Sequence, residues 1–254
     1  MKTALTIGGS DPTGGAGIQV DVKTFQSLGV YGLSIPAALT AQNTRGVTDV
    51  YSIPPEFLTK QLDNLLTDIR PDALKTGMLW NEEIISIISE IIRKYSLRNI
   101  VVDPVTVSST GVPLLREGTA DILKTHLFPL AKVVTPNIYE TLLFTGINIQ
   151  NEADMKLAAS RLKEFGPETV IITGGHFQHK ATDMLFDGND FLFFQREKLE
   201  GEYHGTGCVF SSAVAASLAL GYGVKEAAVN ANEFVWKKIK NALTLGKGMK
   251  ILNV

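Results

Sequence analysis

Short β-branched runs alternate with helix-period patterns along the whole chain. Leu5-Thr6-Ile7 predicts a strand ending at Gly8-Gly9, and residues 18–28 predict a helix stopped by Gly29. Residues 33–40 read as a strand. Phe57, Leu58, Leu62, Leu65, Leu66 and Ile69 recur at helical spacing within 55–69. Ala73-Leu74-Lys75 is a short strand ending at Gly77, and 82–95 is a strongly amphipathic helix. Asn99-Ile100-Val101-Val102 is an apolar strand ending at Asp103-Pro104. Helix 119–126, strand 133–134 and helices 139–144 and 152–165 follow. Thr169-Val170-Ile171-Ile172 is another apolar strand, ending at Thr173-Gly174-Gly175. Residues 183–186 and 190–194 flank Asp187-Gly188-Asn189 and predict a β-hairpin. A helix from Cys208 and one over 225–243 complete the chain. Continuous apolar strands separated by helices predict a parallel sheet covered on both faces, the α/β class. No repeat or linker-like stretch breaks the alternation, so 1–254 reads as one domain.

With 44% hydrophobic and 20% charged residues, the 254-residue chain has ample apolar mass for a core. Net charge −2 and a pI near 6.1 give no electrostatic footprint for nucleic acid or an acidic membrane surface. The most apolar stretch, 84–92, is too short and too interrupted to span a bilayer. Cys208 is the single cysteine, which rules out an intrachain disulfide and fits a reducing compartment. Lys2, the short run Ala4-Leu5-Thr6-Ile7 and then glycines do not have a signal-peptide layout. The expectation is a cytoplasmic protein with neither membrane nor nucleic-acid partners.

In parallel α/β sheets, ligands sit at the carboxyl ends of the strands. Residues just beyond the predicted strands (8–11, 42–43, 76–79, 103–107, 135–137 and 173–175) are glycine, small or polar almost throughout. Tyr203-His204-Gly205-Thr206-Gly207-Cys208 opens a small-residue helix. Glycines let backbone approach a ligand closely, and a helix start offers free N–H groups and a positive dipole end. Together they make an anion site suited to phosphate, and Cys208 there is expected to have a lowered pKa. The alternative is a glycine-lined turn holding an inert buried thiol. A second loop, Gly8 to Gly17, lacks the Lys-Ser/Thr ending of a P-loop and the spacing of a dinucleotide fingerprint. It fits a tight turn packed against a flat substrate, which Asp21 in the following helix reaches back to touch. The alternative for Asp21 is a solvated first-turn carboxylate.

Asp103 and Glu140, near adjacent strand ends, suit Mg²⁺, an ion held by few protein ligands together with substrate phosphates. Taken singly, each is also explained as a strand-end turn or a helix N-terminal charge. The amide of Gln42 offers a donor and an acceptor to the edge of a heteroaromatic ring such as an aminopyrimidine. Asn43 suits turn chemistry, Met78 lines a flat pocket or fills core, and Lys75 meets a phosphate or serves structure. His176, His179 and His204 form no metal spacing with Cys208.

Seven blocks carry a resemblance to a known family. They are Gly9 to Asp21, Ala41-Gln42-Asn43-Thr44, Lys75-Thr76-Gly77-Met78-Leu79, Val102-Asp103-Pro104-Val105, Thr135-Pro136-Asn137-x-x-Glu140, Thr173-Gly174-Gly175-His176 and His204-Gly205-Thr206-Gly207-Cys208. In this order the chain resembles the hydroxymethylpyrimidine/phosphomethylpyrimidine kinases of the ribokinase-like superfamily, from residue 3 to about 243. The resemblance implies a three-layer α/β/α sandwich with a mostly parallel central sheet. It implies ATP- and Mg²⁺-dependent phosphorylation of 4-amino-5-hydroxymethyl-2-methylpyrimidine, then of its monophosphate, for thiamine biosynthesis. By resemblance, Gly9, Asp21, Gln42, Met78 and Val105 surround the pyrimidine, and Asp103 and Glu140 serve Mg²⁺ and phosphate. Gly205, Thr206, Gly207 and Cys208 form the anion hole, with Cys208 at the catalytic position. Asn137, Thr173 and Gly175 lie along the nucleotide groove. Similar enzymes are usually homodimers.

Thr106 departs from an expected methionine, Val209 from a threonine, and the tail Gly246-Lys247-Gly248-Met249-Lys250 is a shortened glycine-rich end. These bear on substrate fine-tuning and nucleotide contacts. A pyridoxine/pyridoxal kinase is the nearest rival, although a pyridine lacks the exocyclic amine that Gln42-Asn43 suits. A non-catalytic ligand-binding protein on the same scaffold is the rival from another class. Asp103, Glu140, Gly205, Gly207 and Cys208 argue against it.

Overall fold

Successive strand residues send their side chains to two different helical layers, and this alternation organises the molecule. The computed structural model describes residues 1–108, 110–177 and 180–254, with 175–177 as backbone only. Its elements in chain order are β1 (Thr3–Ser10), α1 (Gly17–Ser27), β2 (Tyr31–Asn43), β3 (Gly46–Ser52), α2 (Pro55–Leu66), β4 (Ala73–Thr76), α3 (Glu82–Lys94) and β5 (Ile100–Val102). There follow α4 (Thr119–Ile122), β6 (Val133–Val134), α5 (Ile138–Thr145), α6 (Glu152–Lys163), β7 (Thr169–Phe177), β8 (Lys180–Phe186) and β9 (Phe191–Glu197). The last are β10 (Tyr203–His204), α7 (Thr206–Ala219), α8 (Val224–Lys240) and β11 (Lys250–Ile251).

Nine strands form one sheet in the order β3-β2-β1-β4-β5-β6-β7-β8-β9. The six from β2 to β7 are parallel, while β3, β8 and β9 add antiparallel edges. Leu5, Ile7, Leu74, Ile100, Val102, Val134 and Ile172 face a layer that includes α2, α3 and α6. Their neighbours Ala4, Ala73, Val101, Val133 and Ile171 face α1, α7 and α8. This is the expected three-layer, ribokinase-like sandwich. No helix among the described residues is long and apolar enough to cross a membrane.

Local chemistry explains the clearest elements. Asn81 caps α3 by accepting from Ile84 N at 3.0 Å, Glu82 and Glu83 occupy its first turn, and Arg93 and Lys94 its last. Ile84, Ile85, Ile88, Ile91 and Ile92 make its buried stripe. In α5, Asn137 and Glu140 form a reciprocal capping box. The hairpin predicted around Asp187-Gly188-Asn189 is β8–β9.

Three features differ from the sequence reading. β2 runs on to Asn43, so Gln42 lies inside a strand next to an irregularity between Ala41 and Gln42. β3 is unforeseen because it is a sheet edge with Thr48, Asp49 and Tyr51 exposed, which blurs its alternation. The helix expected over 119–126 is one α-turn, Thr119–Ile122, continued by a wider turn over Leu123–Leu127. β10 and β11 form a small parallel ladder that pairs His204 with Ile251. Because Ile88 is fully buried between α3 and the sheet, Ile88→Ala is expected to cost about 2–5 kcal/mol in urea unfolding.

Candidate active site

The parallel strands β1, β4, β5 and β6 share a carboxyl edge, and a cavity of about 540 Å³ opens there. Gly9, Asp21, Gln42, Met78, Val105, Asp103, Glu140, Asn137 and Gly205 to Cys208 all line it. Residues from five predicted strand ends and from the start of α7 thus converge on one space. Thr173 stands beside the cavity, its N–H donating to Pro136 O at 2.9 Å and its backbone bridged to Asn137. Gly175 is described only as backbone in β7, opposite Thr182. His176 is likewise described only as backbone, and His179 lies outside the described residues. Among the described residues no cluster of three or more His, Cys, Asp or Glu side chains is arranged for a metal.

Helix α7 begins at the cavity. Gly205 is its N-cap, with φ +80° and no side-chain cap. A Cβ at Gly205 would run into the Gly15 carbonyl, so glycine is required on two grounds. The first-turn N–H groups of Thr206, Gly207 and Cys208 therefore remain for a ligand, with the positive end of the helix dipole behind them. The opposite loop is pressed just as close, since a Cβ on Gly9 would stand 2.9 Å from Met78 Sδ.

Under these loops lies an ionic network. Lys75, from β4, and Asp21, from α1, are each 1% exposed and pair at 2.9 Å. Asp21 also accepts from Thr6 Oγ1 at 2.6 Å and Ser212 Oγ at 2.6 Å. Its carboxylate is saturated by protein donors, so its place in the sequence reading changes from gripping a substrate to anchoring Lys75. Asp103 accepts from Ser211 Oγ at 2.8 Å and lies 3.7 Å from Lys75 Nζ. Burial pulls the Lys75 ammonium down, but Asp21, then Cys208 and Asp103, outweigh it and hold the pKa above the usual lysine value. Lys75 is thus structural, the second of its two expected roles.

Glu140 is buried and accepts from the N–H groups of Asn137 at 2.9 Å and Thr106 at 3.4 Å. Burial, reinforced by the nearby charge of Asp103, pushes its pKa up to about 8. Asp103 is raised by burial too, against the pull of Lys75 and Ser211. The Asn137 side chain is committed to capping α5, accepting from Tyr139 N and Glu140 N. Any nucleotide contact it makes is through its remaining atoms.

The expectation of a lowered Cys208 pKa fails. The residue is only partly exposed, at the cavity wall. Burial raises the thiol to about 12, with Lys75 opposing and the carboxylates of Asp103 and Asp21 adding to the rise. Helix-end stabilisation does not overcome desolvation next to two carboxylates.

Two residues outside the predicted site join the loops. Asp11 holds the first loop by accepting from Thr13 N at 2.8 Å, Thr13 Oγ1 at 2.8 Å and Ala16 N at 2.8 Å. His204, just before the second loop, brings Nε2 to 2.8 Å from Asp11 Oδ2. Burial works against the Asp11 charge, yet His204 and Thr13 hold its pKa below the ordinary value. The Asp-x-Thr spacing of an Asx turn was the available signal for Asp11. His204 offered none, since its partner lies 193 positions away.

The family model for phosphomethylpyrimidine kinase matches residues 11–253. The chain belongs to the phosphomethylpyrimidine kinase family. A hydroxymethylpyrimidine/phosphomethylpyrimidine kinase of Bacillus subtilis is 43% identical over 96% of this chain and 92% of its own length. A thiamine biosynthesis bifunctional protein of Geobacter sulfurreducens is 46% identical over 97% of the chain, which spans 51% of that protein. Among solved structures, the pyridoxal kinase of Staphylococcus aureus in complex with AMP-PCP and pyridoxal superposes with TM-score 0.91. It is 36% identical, covering 100% of this chain and 93% of that one. Membership in this kinase family fits a helix start with free N–H groups and two buried carboxylates beside one cavity.

The buried pair and the thiol give two tests. Lys75→Met leaves Asp21 and Asp103 buried without their cation and is expected to cost about 3–5 kcal/mol in chemical denaturation. Adding Asp21→Asn should restore much of that loss. Native Cys208, protonated at neutral pH, should react with iodoacetamide orders of magnitude more slowly at pH 7.5 than the unfolded chain does.

Proposed function

We propose that this kinase transfers the γ-phosphoryl group of ATP to the alcohol of 4-amino-5-hydroxymethyl-2-methylpyrimidine. The same site then phosphorylates the monophosphate to the diphosphate, as thiamine biosynthesis requires. The observation that carries this reading is the convergence of one amide, one uncapped helix start and two buried carboxylates on a single cavity. Met78, Val105 and Gly9 supply flat apolar walls, and Gln42 addresses the ring edge.

In the transfer, the hydroxyl oxygen bonds to the γ-phosphorus while the bond to the ADP oxygen breaks. Little covalent help is needed, because positioning and charge stabilisation dominate phosphoryl transfer. The N–H groups of Gly205 to Cys208 face the charge that develops on the transferring group. The Cys208 thiol is protonated in the free protein, so the hydroxyl proton is shed late, onto the transferred phosphate. Asn137, Thr173 and Gly175 belong to the nucleotide side of the cleft.

Asp103 and Glu140 would hold Mg²⁺, and their chemistry fits it. Both are buried carboxylates held up by burial, Glu140 also by the charge of Asp103, and Lys75 answers Asp103 only from 3.7 Å. Bound there, the ion would neutralise phosphate charge. Setting and assembly, on this reading, are cytoplasmic and homodimeric. A second reading, phosphorylation of pyridoxal, is favoured by the likeness to the Staphylococcus aureus structure.

Purified protein with Mg²⁺ is expected to consume ATP with the pyrimidine alcohol at a kcat/KM well above that for pyridoxal, and EDTA should abolish turnover. Higher turnover of pyridoxal would reverse the assignment. Cys208→Ser keeps the backbone donors and should lower kcat by less than about tenfold. A loss near a thousandfold would hand the substrate proton to the thiol, and Cys208→Ala separates packing from chemistry.

A further inference from the structure

The amide of Gln42 sits in a hydrogen-bond chain whose proton count leaves it one orientation. Gln42 Nε2 lies 2.9 Å from His204 Nε2, and the same ring nitrogen lies 2.8 Å from Asp11 Oδ2. A carboxylate only accepts, so His204 Nε2 carries a proton toward it. That nitrogen then has no lone pair for an amide N–H. The opposite tautomer would place a proton on Nδ1, which is buried with no hydrogen-bond partner, and would set a lone pair against Asp11.

The other end of the amide agrees. Thr40 Oγ1 lies 3.0 Å from Gln42 Oε1 and 2.9 Å from Ser10 O. A hydroxyl has one proton, and the Ser10 carbonyl can only accept it. Thr40 therefore presents a lone pair to Gln42. Both ends favour the amide turned over, with Nε2 donating to Thr40 and Oε1 facing the single Nε2–H of His204, which it shares with Asp11. Oxygen and nitrogen of an amide are told apart by such partners.

The His204 ring is itself held firmly. It pairs through its backbone with Ile251, and a Cβ on Gly15 would stand 2.9 Å from its Cδ2. Once Gln42 is anchored at both ends, one N–H and one carbonyl lone pair remain for the cavity. That adjacent donor and acceptor match the ring nitrogen and exocyclic amine of an aminopyrimidine. A pyridine has no such amine to offer.

We propose that His204 and Asp11, with Thr40, are positioning residues that fix the Gln42 amide and so set the preference for an aminopyrimidine over a pyridine. This rests on the pyrimidine reading of the site. The test is steady-state kinetics of His204→Phe, His204→Gln and Thr40→Val with the pyrimidine alcohol and with pyridoxal, beside ¹⁵N NMR of the wild-type imidazole. His204→Phe frees the amide, and the ratio of the two kcat/KM values should fall about ten- to a hundredfold, mostly through KM for the pyrimidine. His204→Gln keeps a donor toward Asp11 and Gln42 and should recover most of the ratio. Thr40→Val, which removes the other anchor without touching His204, should lower the ratio in the same direction. NMR should find the proton on Nε2.

A proton on Nδ1 instead, with Nε2 bare, would overturn the inference. So would folded variants that lose both substrates in parallel, which would mark His204 as structural only. A wild type inert toward the pyrimidine alcohol would instead sink the proposed function and the preference with it. These failures are therefore distinguishable.

Discussion

The buried ammonium of Lys75 is the interaction on which the rest of the site depends. Removing a lysine and carboxylates from water is costly, and such a group persists only where partners are held in place. Here they come from the sheet and the helical layer on one of its faces: Asp21 from α1, Asp103 beyond β5, and Ser211 and Ser212 from α7. The serines fix the carboxylates, the carboxylates hold the ammonium, and the network locates the start of α7 relative to the sheet. The anion site is the upper surface of that arrangement. Those contacts tie the start of α7 to the end of the strand that carries Asp103.

Much of this was legible from residue order because a parallel sheet gathers its strand ends. Gly9, Gln42, Met78, Asp103 and Asn137 are far apart along the chain, and each follows or ends a strand-like run. The topology alone brings them to one edge. What escaped were properties set by burial and by contacts across long separations. Asp21 reads as a substrate contact or a solvated acid until Lys75, 54 positions on, is found against it. Cys208 reads as an activated thiol until its surroundings supply carboxylates. The helix dipole is a local feature visible in sequence, whereas desolvation belongs to the assembled core, and desolvation won. β3 was hidden because an exposed edge strand need not alternate.

Relatives that carry the names of two different vitamin kinases share this framework. Phosphate handling uses backbone N–H groups and buried acids, and it says little about the ring on which the alcohol hangs. On the proposed reading, discrimination between rings falls to few groups, the amide of Gln42 among them. The conserving effort of the structure therefore divides. The core network, on that reading, underlies phosphate handling, and the smaller chain of Asp11, His204, Gln42 and Thr40 the choice of ring.

The helix that receives the anion has no wet side. From Val209 to Ala219 every residue of α7 is buried, packed between the sheet, α1 and α8. Such a segment has no amphipathic stripe to stabilise it in water, and its serines need Asp21 and Asp103 to satisfy them. It becomes a helix only as its neighbours close around it. The phosphate cradle proposed at its start therefore depends on the closed core, and not on a helix that could stand alone.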